Sequence, residues 1–403
     1  MSFIDTVKSW ATNNLPLIFG LLRTFAPILQ IKDFTLVTRF NDVQEVLSRP
    51  NVFGVTYAEK MGVVTNGSNF FLGMNDTATY ARDVSNMRIL IRREDVDASI
   101  IPLVKRLSED IIRSNNGKMD VVKELSGPVA ARFVRDYIGI PGPSEAELID
   151  WTTYQFQYLF FPDNPKEDDE KAVGYAKLTR EYLDVLIQQR KLQEKQPDDV
   201  ISRCFALQRS GTPGMTDIDI RNNLIGIIIG AIPTTSKAVA LVINYLLNHP
   251  HLLAGAQEAA RNDDTAAIRQ YVLEVLRFDS FGAGVFRIAN EDYTLAAGTL
   301  HSKKIRKGGK VLASTQSAML DGRQIDKPKQ FRLNRPLYHY MHFGYGMHQC
   351  FGYYINLVQI PIIVMALLKC KGLRRNPAAP EMRFRGPFPS SLEVEFDTKQ
   401  PAE

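Results

Sequence analysis

With 403 residues, 45% of them hydrophobic and 23% charged, the chain can bury a large core and is neither disordered nor of low complexity. The formal net charge of +5 is a mild basic excess spread along the chain, so no nucleic-acid partner is indicated. The three cysteines, Cys204, Cys350 and Cys370, include no CxxC pair; they encode neither a disulfide framework nor a zinc ribbon and fit a reducing, cytoplasmic compartment.

The apolar stretch from Leu15 to Leu29 is broken by Pro16, Arg23 and Pro27. The uncharged run from Ser9 to Leu22 is shorter than the ~20 residues a membrane span needs. No transmembrane anchor or signal peptide is expected, and the segment is expected to pack on the body of the protein. Phe34 to Phe40 alternates like a half-buried strand, and Asn41-Asp42 opens a helix through Val43, Val46 and Leu47 that ends at Pro50. Val52 to Met74, rich in Gly, Asn and aromatics, reads as a long ordered loop. Helical periodicity then covers 80–93, 100–115, 127–137, 145–161, 170–194 and 197–208. A longer helix starts near Thr216-Asp-Ile-Asp219 and runs to Leu247; being apolar nearly all round, it is expected to cross the centre of the protein. Helices at 252–260 and 266–277, strands at 285–288, 293–295 and 311–314, and a last helix over 352–371 complete the chain, with Gly372 as its cap. The fold class is mainly α with small β-sheets: a single α-rich unit over 1–403 with a small β-rich flank and no fused reductase domain.

The stretch richest in chemistry is Phe343-Gly-Tyr-Gly-Met-His-Gln-Cys350-Phe-Gly352, immediately before an apolar helix. Three glycines around one cysteine let the backbone approach a flat, bulky group and aim amide N–H groups at a sulfur. A thiolate there can ligate haem iron, and the positive end of the next helix favours the deprotonated sulfur. Two other readings are an inert buried cysteine and a zinc site built from His339, His342, His348 and Cys350, against which the irregular spacing counts.

Phe343, Gly344, Gly346, His348, Cys350 and Gly352 together resemble the cytochrome P450 signature Phe-Gly-x-Gly-x-His/Arg-x-Cys-x-Gly. Glu274-Val-Leu-Arg277 is similar to the family's Glu-x-x-Arg helix, and Pro328-Lys-Gln-Phe331-Arg-Leu-Asn-Arg335 to its Pro-x-x-Phe-x-x-x-Arg stretch. The resemblance implies the P450 fold and haem b (iron protoporphyrin IX) with Cys350 as axial ligand. It also implies a structural network of Glu274, Arg277 and Arg335 beneath the loop. Arg287 matches the position that binds a haem propionate; Tyr340 stands where many members carry a second propionate-binding His, with His339 or His342 as substitutes. The chain departs from the family twice. In Asp76-Thr-Ala-Thr-Tyr80-Ala-Arg82-Asp-Val84, Tyr80 replaces a His and Val84 an Arg, leaving Arg82 or Arg88 to serve. In Gly230-Ala-Ile-Pro233-Thr234-Thr235, Thr234 matches the family's catalytic alcohol while Pro233 takes the place of the acid. Proline removes a backbone N–H, so a kink is expected there.

The resemblance implies a monooxygenase that inserts one oxygen atom from dioxygen into a lipophilic small molecule. Electrons would come from a separate ferredoxin or flavodoxin-type donor, with Arg82, Arg88, Arg92, Arg93, Lys105 and Arg106 as a candidate basic docking face. Phe70, Phe71, Ile227, Ala231 and Val285 are candidate pocket residues. Pro233 keeps two alternatives open: an enzyme using peroxide or a lipid hydroperoxide, and a non-catalytic haem-binding sensor.

Overall fold

The computed structural model describes residues 15–68 and 70–397; residues 9–14 of the uncharged N-terminal run lie outside them. In chain order come α1 (Leu15–Phe25), β1 (Ile28–Ile31), β2 (Phe34–Val37), α2 (Phe40–Leu47), β3 (Phe53–Gly54), α3 (Ala58–Thr65), α4 (Ala78–Leu90) and α5 (Ile101–Arg113). There follow β4 (Lys118–Asp120), α6 (Gly127–Phe133), α7 (Glu145–Phe160), α8 (Lys166–Lys191), α9 (Val200–Arg209), α10 (Asp217–Leu247), α11 (Pro250–Arg261) and α12 (Thr265–Phe278). The rest is β5 (Val285–Ala289), β6 (Tyr293–Leu295), β7 (Lys303–Ile305), β8 (Lys310–Ala313), α13 (Thr315–Ala318), α14 (Tyr353–Leu368), β9 (Arg374–Arg375), β10 (Arg383–Arg385), β11 (Phe388–Ser391) and β12 (Glu393–Glu395). The chain forms two compact units, one comprising the chain up to Thr56 with Leu276–Phe351, the other Tyr57–Val275 with the chain from Gly352 on.

The first unit is built on a five-stranded sheet of order β1-β2-β8-β5-β3, in which β2 and β8 are parallel and the other pairs antiparallel. Val37, Val311 and Ala313 from its strands pack with Val43, Val46 and Leu47 of α2. Helix α1 docks here as expected for a segment that packs on the body. Phe19 is buried, and Arg23, also buried, donates through Nη1 to the Ser317 carbonyl (3.1 Å) and hydroxyl (2.8 Å).

The second unit is organised by α10, which runs unbroken for 31 residues. Its start is set by a capping box: the Asp219 N–H donates to the Thr216 hydroxyl (3.2 Å) and the Thr216 N–H to the Asp219 carboxylate (3.0 Å). No other described helix is long and apolar enough to cross a membrane, and 78% of the apolar window of α10 is buried against protein. Helices α6, α7, α8 and α14 pack around it. The kink expected at Pro233 does not interrupt the helix; neighbours on several sides hold the backbone through the position of the missing N–H.

The segment expected to be loop throughout 52–74 contains α3. Met61, Val64 and Thr65 are buried and the helix packs on α7 and α8, so tertiary burial selects the helix where local composition suggested none. Asn66 (φ 62°) and Gly67 (φ 87°) end it in the left-handed region. On α10, a Cβ added to Gly226 would overlap the ring of Phe70, which is 1% exposed and has no room to withdraw. Gly226→Ala is therefore expected to lower stability by about 1–2 kcal/mol despite the better helix propensity of alanine, read as a lower urea midpoint at unchanged m-value.

Candidate functional site

In the first unit the glycine-rich loop is closed on itself by the Cys350 N–H, which donates to the Phe343 carbonyl at 2.7 Å. Gly344 and Gly346 sit at φ 74° and 72°. A Cβ on Gly346 would lie 2.5 Å from the carbonyl oxygen of Leu47 at the end of α2, so the loop backbone is pressed onto that helix end where only glycine fits. Cys350 is partly exposed. The other two thiols are held neutral: burial pushes Cys204 up to about 12 and Cys370 up to about 11. Among the described residues no three His, Cys, Asp or Glu side chains converge as a metal-binding group, so the zinc reading of the loop has no donor set.

Upstream of the loop, in the same unit, two buried guanidinium groups hold the 319–335 segment. Arg277, fully buried at the end of α12, donates to the carbonyls of Met319 (3.2 Å), Pro328 (2.5 Å) and Gln330 (3.1 Å). Arg335 donates to the carbonyls of Asp326 (2.7 Å), Lys327 (2.9 Å) and Gln330 (3.0 Å). The two arginines thus share the Gln330 carbonyl and tie 319–335 into one body. Phe331 stacks on Phe278 at 6.0 Å between ring centroids. Glu274, one turn before Arg277 on α12, is also fully buried.

In the second unit, α10 carries a strip that is not fully covered. Ile227, Gly230, Ala231 and Thr234 are partly exposed while most of the residues between them are buried. Their spacing puts them on one helical face, and a Cβ on Gly230 would meet nothing within 4 Å. Thr234 donates its hydroxyl to the Gly230 carbonyl on the same face. Next to it Thr235, buried, donates to the Asn356 side-chain oxygen on α14 at 3.2 Å. That bond links α10 to the helix after the cysteine loop, and no motif signalled it.

The remaining sequence candidates fall into three groups. Arg287 on β5 is 4% exposed and donates to the Phe286 carbonyl at 2.9 Å, beside partly exposed Val285. Tyr340 and His342 stack at 5.4 Å, and His339 lies edge-on to Tyr338 at 4.7 Å; His348 is partly exposed in the loop. Tyr80 is buried on α4 and its hydroxyl is pushed up by burial, with the nearby Arg88 charge opposing the shift. Arg82 does not share that setting: it pairs with Asp83 at 2.7 Å and lies against Gly214, because two residues along a helix point a side chain to the other side. Phe70 and Phe71 are each 1% exposed, whereas Ile227, Ala231 and Val285 keep exposed surface.

A partly exposed thiol on a loop opened by left-handed glycines suits a flat group that the backbone approaches closely. A sequence profile of Cytochrome P450 matches residues 146–371, which include α10, Glu274, Arg277, Arg335 and the Cys350 loop. That is more than half of the chain, and the protein belongs to the cytochrome P450 family. Cytochrome P450 109 of Bacillus spizizenii is 24% identical over 388 residues, covering 92% of this chain and 88% of that one. The nocardicin C N-oxygenase of Nocardia uniformis is 25% identical over 373 residues, covering 88% and 87%. Among solved structures, P450BioI in complex with hexadec-9Z-enoic acid ligated acyl carrier protein superposes with a TM-score of 0.81 at 22% identity, over 96% of this chain and 100% of that one. The protein is therefore a haem-dependent oxidoreductase of the monooxygenase class.

Two substitutions test the loop. Cys350→Ala is expected to eliminate the thiolate–haem absorption spectrum while a haem-loaded protein of another spectral type persists. Gly346→Ala, which adds a left-handed-region cost of about 1–2 kcal/mol to the collision with Leu47, is expected to lower the haem-to-protein ratio of the purified protein.

Proposed function

We propose that the protein inserts one oxygen atom from dioxygen into a lipophilic small molecule, drawing electrons from a separate ferredoxin or flavodoxin-type partner. Haem b would be held by Cys350, with Arg287 and the Tyr340 region as candidates for its propionates. When bound, the haem supplies the activation of oxygen that a polypeptide lacks. Gly344 and Gly346 let the loop backbone approach the group closely, and the two arginines tied to Gln330 order the segment that leads into it.

The observation that carries the reading is the strip on α10: an apolar, partly exposed face with the Thr234 hydroxyl at its end. Ile227 and Ala231 there would contact an apolar substrate and exclude water. With its hydrogen donated to the Gly230 carbonyl, the Thr234 hydroxyl would present its oxygen lone pairs as a hydrogen-bond acceptor that orients a proton-bearing group there. Pro233 offers no titratable group, so Thr234 works without a neighbouring acid on its own helix. A structurally similar P450 binds a hexadecenoyl chain, which supports a lipophilic substrate. Exposed Arg88, Arg92, Arg93, Lys105 and Arg106, with Arg93 lying 4.5 Å over Tyr354 of α14, support docking of an acidic electron donor. Free cysteines support a reducing, cytoplasmic location.

The test supplies haem-loaded protein with a fatty acid under labelled dioxygen, with a reductant and a surrogate ferredoxin, and in parallel with the corresponding hydroperoxide and no reductant. One labelled oxygen in the product, only with reductant, is the expected result; rapid conversion of the hydroperoxide alone would overturn the dioxygen reading. Thr234→Ala is expected to divert most electrons to hydrogen peroxide, a loss of coupling of about tenfold to a hundredfold, read as peroxide formed per reductant consumed.

A further inference from the structure

Helix α1 packs on the first unit through Phe19 and Arg23. On its opposite side Leu17, Leu21 and Phe25, spaced four residues apart, are each more than half exposed, Phe25 at 81%. Exposed apolar surface recurs at Ile31, the last residue of β1, and at Leu300, which is fully exposed in the loop between β6 and β7. A single exposed apolar side chain is ordinary, whereas a group of them on adjoining segments marks an interaction surface.

Hydrogen bonds show that the segments adjoin. Arg39 donates through Nε to the Arg23 carbonyl near the end of α1 (3.0 Å) and through Nη1 to His301 Nδ1 (3.1 Å). The Gln30 amide on β1 donates to the Lys304 carbonyl on β7 (3.4 Å). The Lys310 N–H donates to the Asp33 carbonyl in the β1–β2 turn (2.8 Å). The end of α1, β1 and the chain from 300 to 310 therefore lie side by side within the first unit.

That last segment is strongly basic. Lys303, Lys304, Arg306, Lys307 and Lys310 follow one another with no acid among them, and all are exposed. Lys32, exposed in the β1–β2 turn, adds a sixth cation. The acids on the same turns are Asp33, Glu291 and Asp292, with Asp292 paired to Lys304 at 2.9 Å, so positive charge is in excess beside the apolar residues. With 11 residues, α1 is about 16 Å long. It cannot cross a hydrocarbon core of about 30 Å, but its length and outward apolar face suit a position in the plane of a membrane surface.

We propose that the outer face of α1, with Ile31, Leu300 and the basic segment 303–310, is a docking surface for an anionic phospholipid membrane. Leu17, Leu21 and Phe25 enter below the headgroups while the lysines and Arg306 meet lipid phosphates. Neither signal alone gives a stable peripheral contact; apolar insertion and a polybasic patch together do.

The test sediments the full-length, haem-loaded protein with vesicles of phosphatidylcholine containing about 30% phosphatidylglycerol, and with vesicles of phosphatidylcholine alone. Binding to the anionic vesicles is expected, at least about tenfold stronger than to the neutral ones, and weakened on raising sodium chloride from about 0.1 M to about 0.5 M. Leu21→Ser combined with Phe25→Ser, and separately Lys303→Glu combined with Lys307→Glu, are each expected to weaken it by about tenfold or more. All four side chains are exposed, and an unchanged haem spectrum reports that the variants are folded. No binding, equal binding to neutral vesicles, or undiminished binding by either double variant would overturn the proposal. So would a dimer in lipid-free sedimentation that Leu21→Ser with Phe25→Ser converts to monomer, since the face would then belong to a second copy of the chain.

Discussion

Burial of α10 is the constraint on which the helical unit depends. A helix of 31 residues that is apolar nearly all round can exist in water only if it is covered on most faces. Helices α6, α7, α8 and α14 supply that cover. The same cover explains why Pro233 does not break the helix: the cost of the missing hydrogen bond, about 3 kcal/mol, is small beside the burial of Leu224, Ile225, Ile228, Ile229 and Ile232 around it. What remains uncovered then acquires functional meaning, because partial exposure on such a helix marks surface kept for something other than the core.

The other unit solves a different problem, holding an irregular, glycine-rich loop in one conformation. Loops of this kind bury few apolar side chains, so their order has to come from the backbone. Arg277 and Arg335 provide it for the segment that leads into the loop, directing charged N–H groups at five different carbonyl residues between 319 and 330, with Gln330 common to both; within the loop the Cys350 N–H to Phe343 carbonyl bond does the same. Such bonds are worth about 1.5–3 kcal/mol each when the donor is charged and buried. The Glu-x-x-Arg and Pro-x-x-Phe-x-x-x-Arg patterns are thus parts of one scaffold, since Arg277 reaches carbonyls inside the second pattern and Phe331 stacks beside it.

Legibility of the site followed the kind of signal involved. The cysteine loop, the two arginines and Thr234 could be singled out as candidates because glycine, charge and spacing are local properties. Arg82 and Arg88 were not distinguishable, since choosing between them needs the direction in which α4 presents each side chain. Phe70 and Phe71 are pocket candidates by position, and what their position in the chain could not show is that the Phe70 ring lies against Gly226 of α10. The Thr235–Asn356 bond joins residues far apart in sequence with no composition to announce it.

By itself the sequence determined the helical class, the central apolar helix with its Thr216 cap, the candidate thiolate ligand and the absence of an acid at Pro233. These are consequences of periodicity and of single-residue chemistry, which act over a turn or two of chain. Only the tertiary structure decided that 58–65 is helical, that the strands form a five-stranded and a two-stranded sheet in one unit and short sheets in the other, and which face of α10 stays open. Those outcomes depend on which surfaces meet after the chain has folded back on itself, and burial between distant segments outweighs the small local preferences that a sequence reading can weigh.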